Sequence, residues 1–242
     1  MRFARSVLFL PALLLSAYTT PSASRLLTGK GFGGISSSTG YKPFTNKSAS
    51  YSLWNLQAFG LSEEAFTLAE KGFHFLEARG LLHKTNLLTI VDYSQASTKK
   101  RLYVLDMKTG RVLLQSLVAH GRNSGYKYAS SFSNEESSLK SSLGFFVTGG
   151  AYTGANGYSL KLKGCERGIN DKATERAIVV HGADYVSDDF VRSNGYLGRS
   201  YGCPAVPLKL HKKLIDLIKN GSCMFLYYPS DSYQRQSKIL SK

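Results

Sequence analysis

The chain has 242 residues, 43% apolar and 19% charged, a balance that supports a sizeable core and excludes both a disordered chain and a polytopic membrane protein. Lysine and arginine (31) outnumber aspartate and glutamate (16), a formal charge of +15 that attracts polyanions of any kind. Three cysteines are too few for a disulfide framework and lack the spacing of zinc ligands.

Residues 1–24 read as a signal peptide. Arg2 and Arg5 precede an apolar run over 7–17, and Ser22, Ala23 and Ser24 suit cleavage. The run is interrupted by Pro11 and is about half of the ~20 residues that cross a bilayer, so no stable membrane span is expected after cleavage. Residues 25–50 are dominated by Gly, Ser and Thr without apolar period and read as a flexible arm. Residues 51–84 read as a helical segment. Ser62 is a cap, Glu63 and Glu64 complement the helix dipole, and Ala65, Leu68, Ala69, Phe73 and Leu76 recur at helical spacing before Gly80.

Residues 85–230 turn to short strands rich in leucine, β-branched and aromatic residues. The spacing predicts strands over 87–93, 101–106, 111–120, 143–148, 158–162, 177–181 and 224–228, with a hairpin turn over 107–110. A late helix starts at Pro207, carries Leu210, Leu214, Leu217 and Ile218 on one face, and closes at Asn220-Gly221. His211 falls on that helix among lysines and reads as solvated, and residues 231–242 read as a polar tail. The fold class is β-rich α+β.

The stretch 178–206 carries the chemistry. A buried-looking strand delivers His181, followed at once by Gly182, and a loop leads to Gly198-Arg199-Ser200-Tyr201-Gly202-Cys203. A thiol is mostly protonated at neutral pH, and a nearby imidazole generates the nucleophilic thiolate. Gly202 lets the backbone turn tightly enough to converge its N–H groups on one spot, as an oxyanion hole requires. Spacing alone leaves open a structural histidine and a buried, inert cysteine.

His181-Gly182 and Ser200-Tyr201-Gly202-Cys203 resemble the signature of the L,D-transpeptidase (YkuD) catalytic domain, in which HG precedes S-x-G-C. Further agreement with the murein L,D-transpeptidase catalytic domain family runs through the segments at 118–125, 132–134, 141–145, 159–162, 176–183 and 198–204. The resemblance implies a β-sandwich or barrel with an N-terminal helical segment and a late helix, acting on peptidoglycan stem peptides. It implies Cys203 as nucleophile, His181 as the base that forms an ion pair with it, and the Gly182 carbonyl as the group orienting His181. The backbone N–H groups of Tyr201, Gly202 and Cys203 receive the oxyanion in this reading, and Ser200 shapes the turn or bonds substrate. The family's histidine two places before the cysteine is Tyr201 here, and its arginine or asparagine two places after is Ala205. Arg199 is therefore the candidate for gripping a stem carboxylate, with His120 and Asn123 as further candidates lining the cleft.

The implied reaction is 3→3 cross-linking, with L,D-carboxypeptidase activity or a non-catalytic basic wall-binding module as alternatives. Export to the periplasm, cell wall or exterior follows, with the anionic envelope as a further partner. Neither a metal nor another cofactor is expected: the histidines and cysteines lack paired ligand spacing, and no nucleotide-binding loop is present. No nucleic-acid module accompanies the charge. Whether Cys165 and Cys223 form a disulfide stays open, as do the roles of Glu166, as a cleft-orienting group or a surface ion pair, and of Asn156 and Asn170.

Overall fold

The computed structural model describes residues 48–241, so the signal peptide expected at 1–24 and all but the last three residues of the arm expected at 25–50 lie outside the described residues. After a short helix α1 (Ala49–Leu53), the Ser62 hydroxyl accepts the Ala65 N–H at 3.3 Å and starts α2 (Glu63–Ala78). Helix α2 buries Phe66, Leu68, Phe73 and Leu76 along one stripe, the face that the apolar spacing marks.

Eight strands follow: β1 (Leu87–Asp92), β2 (Leu102–Asp106), β3 (Val112–Ser116), β4 (Gly144–Gly154), β5 (Gly157–Gly164), β6 (Val179–Ala183), β7 (Ala205–Pro207) and β8 (Cys223–Tyr227). They form one mixed sheet in the order β3-β2-β1-β8-β4-β5-β6-β7. The pairs β1–β8 and β6–β7 are parallel and the others antiparallel. Every residue of β1 and β8 is buried, which is why both read as continuous apolar runs rather than alternating ones. Helix α4 (Leu208–Ile218) buries Leu214, Ile215 and Ile218, and Asn220 ends the turn after it in the left-handed region.

The sheet is sandwich-like and does not close into a barrel: β3 and β7 remain its edges. Isolated bridges from Ala119 to Ala205 and from Gly121 to Ser200 do bring the chain just beyond β3 alongside β7. That crossing places the 119–125 loop beside the Cys203 turn.

The fold departs from the sequence reading in several places. Helix α3 (Asp188–Asn194), capped by the Ser187 hydroxyl, buries no residue and so has no apolar period to reveal it. Strand β7 is three residues long, too short for a pattern. Residues 231–241 are not a polar tail: α5 (Asp231–Gln236) and the turn after it bury Tyr233, Ser237, Ile239 and Leu240. Glu166 is not a surface residue and makes no ion pair among the described residues. It is 4% exposed, accepts the Phe145 N–H at 2.7 Å and the Tyr233 hydroxyl at 3.1 Å, and accepts the Ser237 hydroxyl as well. Burial raises its carboxyl above the ordinary range, and those three donors oppose the rise. The buried carboxylate thus ties the C-terminal segment to β4.

All three cysteines are thiols. Cys223 on β8 and Cys165 just past β5 flank β4, which separates their backbones by roughly two strand spacings, or 9–10 Å. That exceeds the Cα span of about 7 Å that a disulfide tolerates.

Candidate active site

Strand β6 is an interior run, Val179-Val180, that emerges at His181-Gly182. Strand β7 lies parallel to it, with His181 opposite Ala205 and Gly182 opposite Val206. Two residues before Ala205 the same register places Cys203 beside Val179. Its Sγ accepts the Val179 N–H at 3.5 Å and lies 3.7 Å from the Ala177 carbonyl oxygen. Parallel pairing is therefore what carries two distant sequence positions to one place.

The turn before Cys203 has a definite construction. Gly202 has φ +127, and a Cβ there would fall 2.9 Å from the Lys140 carbonyl oxygen, so glycine is required on both counts. The Ser200 hydroxyl accepts the Gly202 N–H at 3.1 Å and donates to the Cys203 carbonyl at 2.6 Å. Ser200 is 5% exposed, and both of its hydroxyl bonds are within the turn it builds. The Gly202 amide is occupied by that bond and is not available to an oxyanion, contrary to the sequence reading. The amides of Tyr201 and Cys203 make no hydrogen bond among the described residues.

His181 is 6% exposed, and its Nδ1 lies 3.0 Å from the Gly182 carbonyl. A carbonyl only accepts, so Nδ1 carries the proton and Nε2 keeps its lone pair as a base. Burial lowers the imidazole below its ordinary 6.5; the Gly182 carbonyl opposes this and His211 adds to it. Burial also pushes the Cys203 thiol up, against the Val179 N–H and the Arg176 charge, which pull it down. Both effects favour neutral forms, and no hydrogen bond joins Sγ to the imidazole.

Cys203 and His181 open on one cavity of about 750 Å³, whose wall also includes Arg122, Asn156, Tyr185 and Arg199. The Arg199 guanidinium sits 4.1 Å from the Tyr126 ring centroid and 5.6 Å from that of Tyr196, and donates to the carbonyls of Arg122 and Gly125 at 3.3 Å. Stacked and bonded in this way, it is a pre-oriented cation at the rim. Arg122 faces the ring of Tyr201, which is 70% exposed.

Two candidates fall outside the cavity wall. His120 is fully buried: Arg101 Nη2 donates to its Nδ1 at 2.7 Å, and its Nε2 reaches the Gly125 carbonyl at 3.2 Å. Burial first, then the Arg101 charge, lowers His120 to about 4. Asn123 is turned away, donating to the Ser138 carbonyl at 3.0 Å. Two other residues are placed unexpectedly. Asn156, in the β4–β5 turn, lines the cavity. His211 is half-buried instead of solvated and packs on Gly182, where a Cβ would lie 2.7 Å from its Cγ. Neither position carries a signal in its own sequence neighbourhood, because it reaches the site only through the β4–β5 turn or the α4 packing.

Among the described residues no group of three His, Cys, Asp or Glu side chains is placed to hold a metal ion, and no helix is long and apolar enough to cross a membrane.

Cys203, in the turn two residues before β7, and His181, within β6, thus share one cavity whose wall carries Arg122 and Arg199. The L,D-transpeptidase catalytic domain matches residues 57–227, and the chain belongs to that family. Similar solved structures include an L,D-transpeptidase from Mycobacterium smegmatis, with 14% identity over 59% of each chain and a TM-score of 0.37. Another is the enzyme from Stackebrandtia nassauensis, with 14% identity over 62% of this chain and 59% of that one, TM-score 0.36. The helical cell shape determining protein of Campylobacter jejuni has 13% identity over 64% of this chain and 53% of that one, TM-score 0.40. The chain spans 59% of the length of the first of these. No curated protein matches it.

Proposed function

We propose that the protein is an exported cysteine acyltransferase acting on peptidoglycan stem peptides. In this reading His181 Nε2 takes the Cys203 proton, and the sulfur attacks the carbonyl on the L-centre side of an L,D bond. A C–S bond forms as the C–N bond to the D-residue breaks, and the imidazolium returns its proton to the leaving amine. The amine of a neighbouring stem then attacks the thioester to give a 3→3 cross-link and regenerates the thiol. Water in that step gives L,D-carboxypeptidase activity instead. In this reading the amides of Tyr201 and Cys203 receive the developing oxyanion, and Arg199, with Arg122 beside it, grips a carboxylate of the stem.

The observation that carries this reading is the shared opening of Cys203 and His181 on one cavity, with Nδ1 committed to the Gly182 carbonyl. The basic charge fits retention on an anionic envelope in the periplasm or cell wall.

The test is incubation with defined tetrapeptide-bearing muropeptides followed by mass analysis. A 3→3 dimer with release of one D-residue is the expected product. Trimmed tripeptide alone assigns the carboxypeptidase activity. Loss of product in Cys203→Ser with retained binding to sacculi identifies the nucleophile; undiminished product in that variant overturns the mechanism. Binding without any product, in both proteins, identifies a wall-binding module.

A further inference from the structure

Arg176 lies three residues before β6, the strand that carries His181, and has no role in the acyl transfer proposed above. Its guanidinium is fixed from both ends. Nη1 donates to the Ser133 carbonyl at 2.7 Å and the Ser142 hydroxyl at 2.5 Å; Nη2 donates to the Lys140 carbonyl at 2.7 Å and the Ser138 hydroxyl at 3.3 Å. All four acceptors are neutral, and Arg176 makes no salt bridge among the described residues. The guanidinium is half-buried and carries no anionic partner there, so its charge is left to act on neighbouring groups.

The Cys203 turn is adjacent. Nη2 stands 3.4 Å from where a Cβ on Gly202 would be, and the Lys140 carbonyl it holds is 2.9 Å from the same point. Gly202 precedes Cys203, whose Sγ rests against Ala177 and Val179, the residues following Arg176. The Ser141 hydroxyl, in the same loop, donates to the Gly202 carbonyl at 3.0 Å. The guanidinium and the sulfur thus flank one turn, and the loop at 133–142 locks that geometry.

We propose that Arg176 is a positioning residue for the nucleophile: it raises the fraction of Cys203 present as thiolate and fixes the turn that carries it. The inference rests on the reading of Cys203 as nucleophile. The charge acts through space on the sulfur and stays clear of the substrate side of the cavity, since Arg176 is absent from the cavity wall. Burial lifts the Cys203 thiol, and the Arg176 charge is one of the two influences that bring it back down. The other ionisable groups facing the sulfur are the phenols of Tyr93 and Tyr185, both held above their ordinary value by burial and so neutral across the working range, and His181 on the same cavity. The acid within reach of Arg176 is Glu135, which is exposed and pairs with Lys172 at 3.3 Å.

The test is the pH dependence of Cys203 alkylation by iodoacetamide, followed by peptide mass analysis so that Cys165 and Cys223 are scored separately. No wall substrate is involved, so a failure of the proposed reaction does not affect the readout. Arg176→Gln is expected to raise the midpoint by about one unit, lowering the rate at pH 7 about tenfold and leaving the high-pH plateau unchanged. Arg176→Lys is expected to keep the rate within about threefold of the parent, because the charge remains while the fork of hydrogen bonds is lost. Ser138→Asp leaves Arg176 in place and neutralises it with a carboxylate at Nη2; it is expected to shift the midpoint in the same direction, and it tests the idea if the glutamine variant does not fold. An unmoved midpoint in the folded variants, a loss equal at every pH, or a lysine variant indistinguishable from glutamine overturns the proposal.

Discussion

The Ser200 hydroxyl donates to the Cys203 carbonyl across 2.6 Å while accepting the Gly202 N–H at 3.1 Å, so one buried side chain closes the turn that aims the sulfur. Removing it leaves a buried amide and a carbonyl without partners, at a cost of about 1–3 kcal/mol. Ser200→Ala is expected to lower kcat about tenfold or more with a smaller change in KM, because the turn positions the nucleophile and does not bind the peptide. Ser200→Thr should recover most of the rate. Steady-state kinetics on a defined tetrapeptide donor reads both, and a change confined to KM would contradict the assignment.

Activity should rise with pH through an acid limb set by His181. The base must be neutral, and burial keeps the imidazole below 6.5, so the neutral form persists to lower pH than in a free histidine. The limb in kcat/KM is therefore expected below pH 6.5. A limb above that value would place the base elsewhere.

Stability carries a separate pH signature from His120. Its folded value is about 4 against an unfolded 6.5, so below pH 6.5 the unfolded chain binds a proton that the folded one refuses. Stability is full above pH 6.5 and is lost progressively as pH falls toward 4. The contribution is about 2 kcal/mol between pH 7.5 and pH 5. Denaturant unfolding across that range measures it, and His120→Gln should flatten the slope; an equal slope in both proteins would refute this origin.

Gly182 meets α4 at close quarters. A Cβ would stand 2.7 Å from His211 Cγ and 3.0 Å from Leu208 Cδ2, so Gly182→Ala must push the helix off β6 or strain the strand. The expected destabilisation is about 1–3 kcal/mol, with loss of activity because the Gly182 carbonyl orients His181. Adding His211→Ala removes the obstructing ring and should restore a good part of the melting temperature. Strictly additive effects of the two changes would show that the contact is not the cause.

The sequence by itself determined the elements whose signal is local. The Ser62 cap with its two acids, the apolar stripe of α2, the continuous runs of β1 and β8 and the stripe of α4 each announce one element in one window. The resemblance of His181-Gly182 and Ser200-Tyr201-Gly202-Cys203 to the family signature singles out His181 and Cys203, where spacing alone leaves a structural histidine and an inert cysteine open. Tertiary structure decided what sits beside them. The parallel pairing of β6 with the three-residue β7 brings the sulfur to Val179, and the crossing after β3 buries His120 against Arg101 and removes it from the cavity. The choice among the amides of 201–203 depends on where the Ser200 hydroxyl turns, and the placement of Arg176 depends on a loop 34 to 43 residues earlier in the chain. Hydrogen bonds and close packing between distant segments leave no periodic trace in the chain, so only the folded geometry distributes these roles.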